Sequence, residues 1–268
     1  MNFPSLKMRT TAERSSQNDP AIRPIFYQHM AAYEYAAQFC AGKTVLDIGC
    51  GEGYGSAVLA RNARKVIGVD YSKEAIARCK ELYKQSNIEF VCSDIDFFEY
   101  GLPIDIVCAF QFIEHLREPR IFLSKVRKLL GRNGIFLLST PNRIASLVRH
   151  PYHFREYSQQ ELRQLLQQYF DTVEISGLQF SDKVARFRKE RREASQKILR
   201  LDPLRIHMLL PAVLRRKIFD LVAAVLSNRI HTQHADVISS ITTEDYRLTK
   251  EVPDTAIDLV ALCSNHLA

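Results

Sequence analysis

The chain has 268 residues, 46% of them hydrophobic, enough for one large domain, or a domain with an insertion, around a sizeable core. Its formal net charge of +7 is local in origin, because residues 183–230 hold 13 Lys/Arg against 4 Asp/Glu and leave 24 basic and 26 acidic residues elsewhere. No apolar run reaches bilayer length, the N-terminal segment lacks the apolar region of a secretory signal, and the six cysteines form no CxxC pair, so the expectation is a cytosolic protein with reduced core thiols, not a membrane, disulfide-framework or zinc protein.

Residues 1–24 read as a polar leader, and 25–39 (IFYQHMAAYEYAAQF) as a helix. TVLDIG is a short apolar strand, 55–62 a helix and KVIGVD a second strand. SKEAIARCKELYKQ follows as a helix, with Ser72 as N-cap and Ile76, Cys79, Leu82 and Tyr83 on one face. IEFVCSD and IDIVCAF are strands three and four, 111–118 a short helix, 119–130 a helix stopped by Gly131, and GIFLLST a fifth strand. Beyond an irregular stretch, Ser158 and Glu161 predict a capping box for a helix reaching Tyr169. TVEISGLQF is a sixth strand and AIDLVALCS a seventh. The alternation predicts a Rossmann-like α/β fold: a seven-stranded, mostly parallel sheet with helices on both faces and a helical insertion before the last strand. The expected organisation is a core over 25–180, a basic helical insertion over 181–240, and a return to the core over 241–268.

Open parallel sheets bind ligands beyond the carboxyl ends of their strands. VLDIGCGEGYG stands at such an end, as do Asp70, Asp94 and residues 111–115. The dinucleotide fingerprint G-x-G-x-x-G fails in both registers, since its third glycine would fall on Tyr54 or Ser56, and no Walker A loop is present. What stands there is acid-x-Gly-x-Gly-x-Gly on Asp47, Gly49, Gly51 and Gly53, a pattern that allows close approach of the backbone to a ligand. Asp70, 21 residues after Gly49, is suited to accept both hydroxyls of a ribose.

In this order over 45–142, and with LLGRNGIFLLSTPN at the end, these elements resemble the class I S-adenosylmethionine-dependent methyltransferases. The resemblance implies S-adenosylmethionine as cofactor. It would be held by Asp47, Gly49, Gly51, Gly53 and Tyr54 at the first strand and by Asp70 and Tyr71 after the second. Asp94 and Ile95 after the third would read the adenine, with Asp96 as a substitute for Asp94, and Gln111 follows the fourth. His29 and Tyr33, four residues apart, and Glu13-Arg14 before them are similar to the leader of the bacterial type 11/12 methyltransferases found beside glycosyltransferases. HPYHFREYSQQEL, with His153, Arg155 and Glu156, is similar to the segment after their fifth strand. His29, Tyr33 and Tyr54 either cover the cofactor or belong to the core.

Methyl transfer from a sulfonium is an in-line displacement, in which the enzyme aligns the acceptor and excludes water; an oxygen or nitrogen acceptor also calls for a base. Glu114 and His115 in FQFIEHLREP border that position and share a helical face with Gln111, as catalytic groups or as structural ones. His153 is the other base candidate, unless its loop is packed by Tyr152, Phe154 and Tyr157. Ubiquinone O-methyltransferases and small-RNA 3′-end methyltransferases carry Glu where Gln111 stands, followed by the Glu-His pair. Gln111 is neutral and a weaker ligand for a hard cation, and no metal is assigned.

The basic stretch contains two helix candidates, 183–200 and 212–230; the second carries Leu214, Ile218, Leu221, Val222 and Val225 on one stripe. Such a segment packs as a lid or lies on an anionic surface. The resulting expectation is a methyltransferase acting on a small molecule or glycan, with the lipid-linked case included, at oxygen, cytoplasmic and in peripheral contact with the inner membrane face through 183–230. An RNA methyltransferase using the basic insertion is less favoured, since no RNA module is recognised. A non-catalytic scaffold with the same fold is the remaining alternative.

Overall fold

The computed structural model describes residues 23–146, 152–199 and 237–265. The Glu13-Arg14 element and the second insertion helix expected over 212–230 lie outside them. In chain order the elements are α1 (Arg23–Ala37), β1 (Thr44–Ile48), α2 (Tyr54–Leu59), β2 (Lys65–Asp70), α3 (Lys73–Leu82), β3 (Ile88–Cys92), β4 (Ile104–Phe110), α4 (Pro119–Leu129), β5 (Leu130–Pro141), α5 (Gln159–Leu166), β6 (Thr172–Phe180), α6 (Asp182–Leu199), β7 (Tyr246–Thr249) and β8 (Asp258–Ser264).

The strands form one sheet in the order β3-β2-β1-β4-β5-β8-β6-β7. β3, β2, β1, β4 and β5 run parallel, and β8 enters antiparallel between β5 and β6. The central strands are apolar along their whole length because helices cover both faces: β1 is buried at every position and β4 at six of its seven. α4 places Phe122, Leu123 and Val126 on the sheet, and α5 places Leu162, Leu165 and Leu166. These join Leu46, Ile67, Val107, Phe136 and Leu259 in the main core.

The Rossmann-like, mostly parallel sheet expected from the sequence is present, with boundary corrections. Among the described residues there are eight strands, not seven; the extra one, β7, is a four-residue edge strand with little apolar signal. The helix expected over 111–118 is a single 3-10 turn, Ile113–His115, because Gln111 takes a left-handed φ of 51° that no helix accommodates. Gly131 does not simply stop a helix: β5 begins at Leu130 and runs for 12 residues, with a register shift opposite Ile104–Ile106. α2 is shorter than 55–62 and α5 ends before Tyr169. α3 ends at Leu82 because Tyr83 turns extended and packs on Phe90. The Ser158–Glu161 capping box forms in full.

The chain divides into two compact units. Among the described residues the larger holds 29–146, 154–179 and 248–265 and contains the sheet apart from its outermost residues; the smaller holds 23–28, 152–153, 180–199 and 237–247. Within the smaller unit, Phe187 of α6 packs on Ile238, Asp245 accepts from Ser181 and Lys183, and the Tyr246 hydroxyl donates to the Pro24 carbonyl. No helix of the described residues is long and apolar enough to cross a membrane.

Candidate functional site

The strand order reverses between β1 and β4, where an open α/β sheet leaves a crevice at its carboxyl edge. Four neighbouring strands, β3, β2, β1 and β4, deliver residues to that edge, a width of about 14 Å. Asp94 and Ile95 follow β3, Asp70 and Tyr71 close β2, the glycine loop follows β1, and Gln111 follows β4. The structure thus brings all the residues expected to hold the cofactor to one edge of the larger unit.

Gly49, Gly51 and Gly53 all take left-handed φ, 70°, 50° and 77°. Their surroundings differ. A Cβ on Gly49 would lie 2.6 Å from Phe112 Cδ2, and one on Gly53 would lie 2.8 Å from Cys79 Sγ. At Gly51 the only neighbour within 4 Å among the described residues would be the Gly49 carbonyl oxygen at 3.9 Å. One side of the loop is therefore filled by protein, and Gly51 presents bare backbone to open space, a cradle a side chain would occupy. That is what close approach by a ligand requires.

The two acids expected here act first on the protein itself. Asp47 is fully buried, and it accepts from Tyr33 Oη (3.1 Å) on one oxygen and from Ser56 Oγ (2.6 Å) on the other. Burial raises its carboxyl to about 7 against the lowering by these two donors. Asp70 accepts from Gly51 N–H (3.1 Å) and Ser72 N–H (2.8 Å), one on each oxygen, joining the turns after β1 and β2. Each oxygen of a carboxylate keeps further lone-pair capacity for a ligand hydroxyl.

Tyr33 is buried against Phe110 and Tyr54 and is a core residue. Tyr54 is part-exposed, and its hydroxyl lies 3.2 Å from His29 Nδ1. Burial lowers the His29 imidazole to about 4, so it is neutral near pH 7. Tyr71 and Asp94 are exposed, whereas Ile95 is buried. Asp94 accepts from the Asp96 amide at 3.1 Å.

Gln111 is the only non-glycine residue with positive φ among those described, a strained conformation of the kind found at functional positions. Ser139, buried on β5, holds it twice: the Gln111 amide donates to the Ser139 carbonyl (3.0 Å) and Gln111 Nε2 donates to Ser139 Oγ (3.3 Å). Glu114 is fully buried, with Oε2 accepting from Thr140 Oγ1 (3.0 Å) and Oε1 unpartnered among the described residues. Burial raises it to about 8, so at neutral pH it is a carboxylic acid. Its carbonyl accepts the Phe154 amide at 2.8 Å. His115 is half-buried in the same turn. His153 belongs to the smaller unit.

Sequence reading missed Ser56, Ser139 and the pair Glu52–Arg78. Glu52 is buried inside the glycine loop and receives Arg78 Nε (3.2 Å) and Nη2 (2.8 Å) on its two oxygens. The available signal was a charged residue inside a glycine-rich loop, which reads equally as a solvated position.

A family model described as a methyltransferase domain matches residues 40–174, half of the chain. The chain is 32% identical over 248 residues to a probable S-adenosylmethionine-dependent methyltransferase of Mycolicibacterium smegmatis, covering 88% of this chain and 87% of the relative. It is 36% identical over 104 residues to the ubiquinone biosynthesis O-methyltransferase of Bradyrhizobium diazoefficiens, covering 38% and 41%. Among solved structures, the plantazolicin methyltransferase BpumL in complex with SAH superposes with a TM-score of 0.50 at 17% identity, covering 93% of this chain and 86% of that one, a likeness of fold. The chain belongs to the class I S-adenosylmethionine-dependent methyltransferases. It is an enzyme whose methyl donor is S-adenosylmethionine, as the glycine-loop resemblance implied.

Proposed function

We propose that the enzyme methylates an oxygen of a small molecule or glycan, with the donor lying along the carboxyl edge of β3, β2, β1 and β4. The observation that carries the site is the open space over Gly51, in a loop tied to Asp70. In this reading Gly49, Gly51 and Gly53 give the donor backbone contact, Asp70 and Tyr71 take its ribose, Asp94 and Ile95 its adenine, and Tyr54 and Gln111 its amino-acid end. Asp47 serves by fixing Ser56 and Tyr33 beneath the loop. The donor supplies an electrophilic methyl group, and the chain supplies alignment and exclusion of water.

Oxygen as the reacting atom is supported by the ubiquinone O-methyltransferase relative. His115 is the group proposed to take the acceptor's proton, with His153 as the alternative base. Glu114, neutral and bonded to Thr140, is proposed to hold the His115 turn in place. Isothermal titration with S-adenosylhomocysteine, on the wild type and on Asp70→Ala, tests the cofactor site. Equal affinity in the two proteins sinks it.

The basic segment 183–230 is proposed to bring the enzyme to an anionic membrane surface, where a lipid-linked acceptor would be met. Within α6, Val184 and Phe187 are buried while Arg186 and Lys189 are exposed, which supports one basic face. Binding to vesicles of anionic lipid should fall when Arg186 and Lys189 are both changed to Glu. Unchanged binding removes the membrane from the reading.

A further inference from the structure

The glycine loop is poorly suited to hold its own shape. Three of its five residues, Gly49, Gly51 and Gly53, are glycines in left-handed conformations, and glycine loses more freedom on ordering than any other residue. Its two side chains, Cys50 and Glu52, are both buried, so neither faces a ligand.

Both turn instead to α3. Arg78 grips Glu52 through two nitrogens on two oxygens, at 3.2 and 2.8 Å. The next residue, Cys79, donates its thiol to the Gly51 carbonyl at 3.2 Å and packs in one apolar cluster with Cys50. A planar guanidinium bidentate to a carboxylate fixes orientation as well as distance. Gly51 is consequently held on both sides of its Cα, its N–H by Asp70 and its C=O by Cys79. Arg78 is a quarter exposed and Glu52 almost wholly buried, so the clamp is not a screened surface pair.

We infer that Arg78 is a positioning residue for the donor: through Glu52 it holds the glycine loop in the shape that S-adenosylmethionine meets, so that the ordering cost falls on folding and not on binding. This rests on the proposed location of the cofactor at the loop. Preorganisation of this kind raises affinity by cutting the entropy lost when the ligand arrives. The Arg78 guanidinium is not proposed to touch the donor.

The test is calorimetric titration of S-adenosylhomocysteine into wild type, Arg78→Met, Arg78→Lys, Glu52→Gln and the Glu52→Gln/Arg78→Met double variant, with Asp70→Ala alongside. Amide hydrogen exchange of residues 49–53 is followed without ligand. Arg78→Met is expected to weaken binding by about tenfold, with the loss in the entropy of binding, and Arg78→Lys by less. The double variant should bind no more weakly than Arg78→Met, because the two residues act as one unit. Exchange across 49–53 should rise in Arg78→Met while the rest of the sheet stays protected, which a general loss of stability would not produce. If Arg78→Met is too unstable to titrate, Arg78→Lys and Glu52→Gln carry the comparison. Binding within twofold of wild type in the Arg78 and Glu52 variants, with Asp70→Ala impaired, overturns the clamp and leaves the pocket standing. Unchanged binding in all of them, Asp70→Ala included, overturns the location of the pocket as well.

Discussion

The Gly51 amide donates to Asp70 Oδ2 across 3.1 Å, while the Ser72 amide donates to the other oxygen at 2.8 Å. One carboxylate thereby joins the loop after β1 to the turn after β2, two strands adjacent in the sheet but 19 residues apart at these positions. Asp70→Asn keeps one acceptor oxygen and leaves one of the two amides facing an amide nitrogen. It should cost about tenfold in S-adenosylhomocysteine affinity, and Asp70→Ala, which removes both acceptors, about a hundredfold. Titration calorimetry on the two variants checks the ranking; an Asn variant weaker than Ala contradicts it.

Gly51 of the motif and Gly55, just beyond it in α2, should fail in opposite ways. A methyl on Gly51 enters open space at the cost of a left-handed alanine, whereas one on Gly55 enters the Tyr33 ring. Gly51→Ala is expected to lower Tm by about 3 °C and to abolish S-adenosylhomocysteine binding. Gly55→Ala should lower Tm by about 10 °C through overpacking. Thermal denaturation paired with ligand titration separates the two.

At most helix and strand positions glycine is less stable than alanine. Gln111 should reverse that order, because its φ of 51° is strained for every residue with a Cβ. Gln111→Gly is expected to exceed Gln111→Ala in stability by about 1 kcal/mol, read from urea denaturation. Equal stabilities would mean that the left-handed conformation is not held in the folded protein.

Glu114 is raised from 4.5 to about 8 by burial, so the folded chain keeps a proton that the unfolded chain releases. Its contribution is fully present below about 4.5 and is lost as pH rises toward 8, at up to about 1.4 kcal/mol per pH unit. Asp47 adds a similar loss that ends near 7, and His29, lowered from 6.5 to about 4, destabilises only as pH falls below 6.5. Between pH 7 and 8 Glu114 therefore acts alone among these three. Glu114→Gln should make the stability curve flat there, where wild type still declines; parallel curves would place the Glu114 titration elsewhere.

The alternation of strands and helices, the glycine motif and the acids at strand ends were legible because each depends on local spacing along the chain. The same spacing misread 111–118 as a helix, since nothing in the identity of a glutamine announces a left-handed backbone; that conformation is imposed by Ser139 from the neighbouring strand. It also counted seven strands, because a four-residue edge strand such as Tyr246–Thr249 carries too short a pattern to register.

By itself, the sequence determined the α/β alternation and the strand ends that carry the glycine motif and its acids, and its resemblance to the class I methyltransferases implied the methyl donor, because a parallel α/β order and a run of alternate glycines are encoded residue by residue. The tertiary structure alone decided what each acid does. Asp47 is turned inward to Ser56 and Tyr33, Glu52 to Arg78, and Glu114 to Thr140. Those partners lie 9, 14, 26 and 26 residues away in the chain, and only strand register and helix packing bring them within hydrogen-bonding distance.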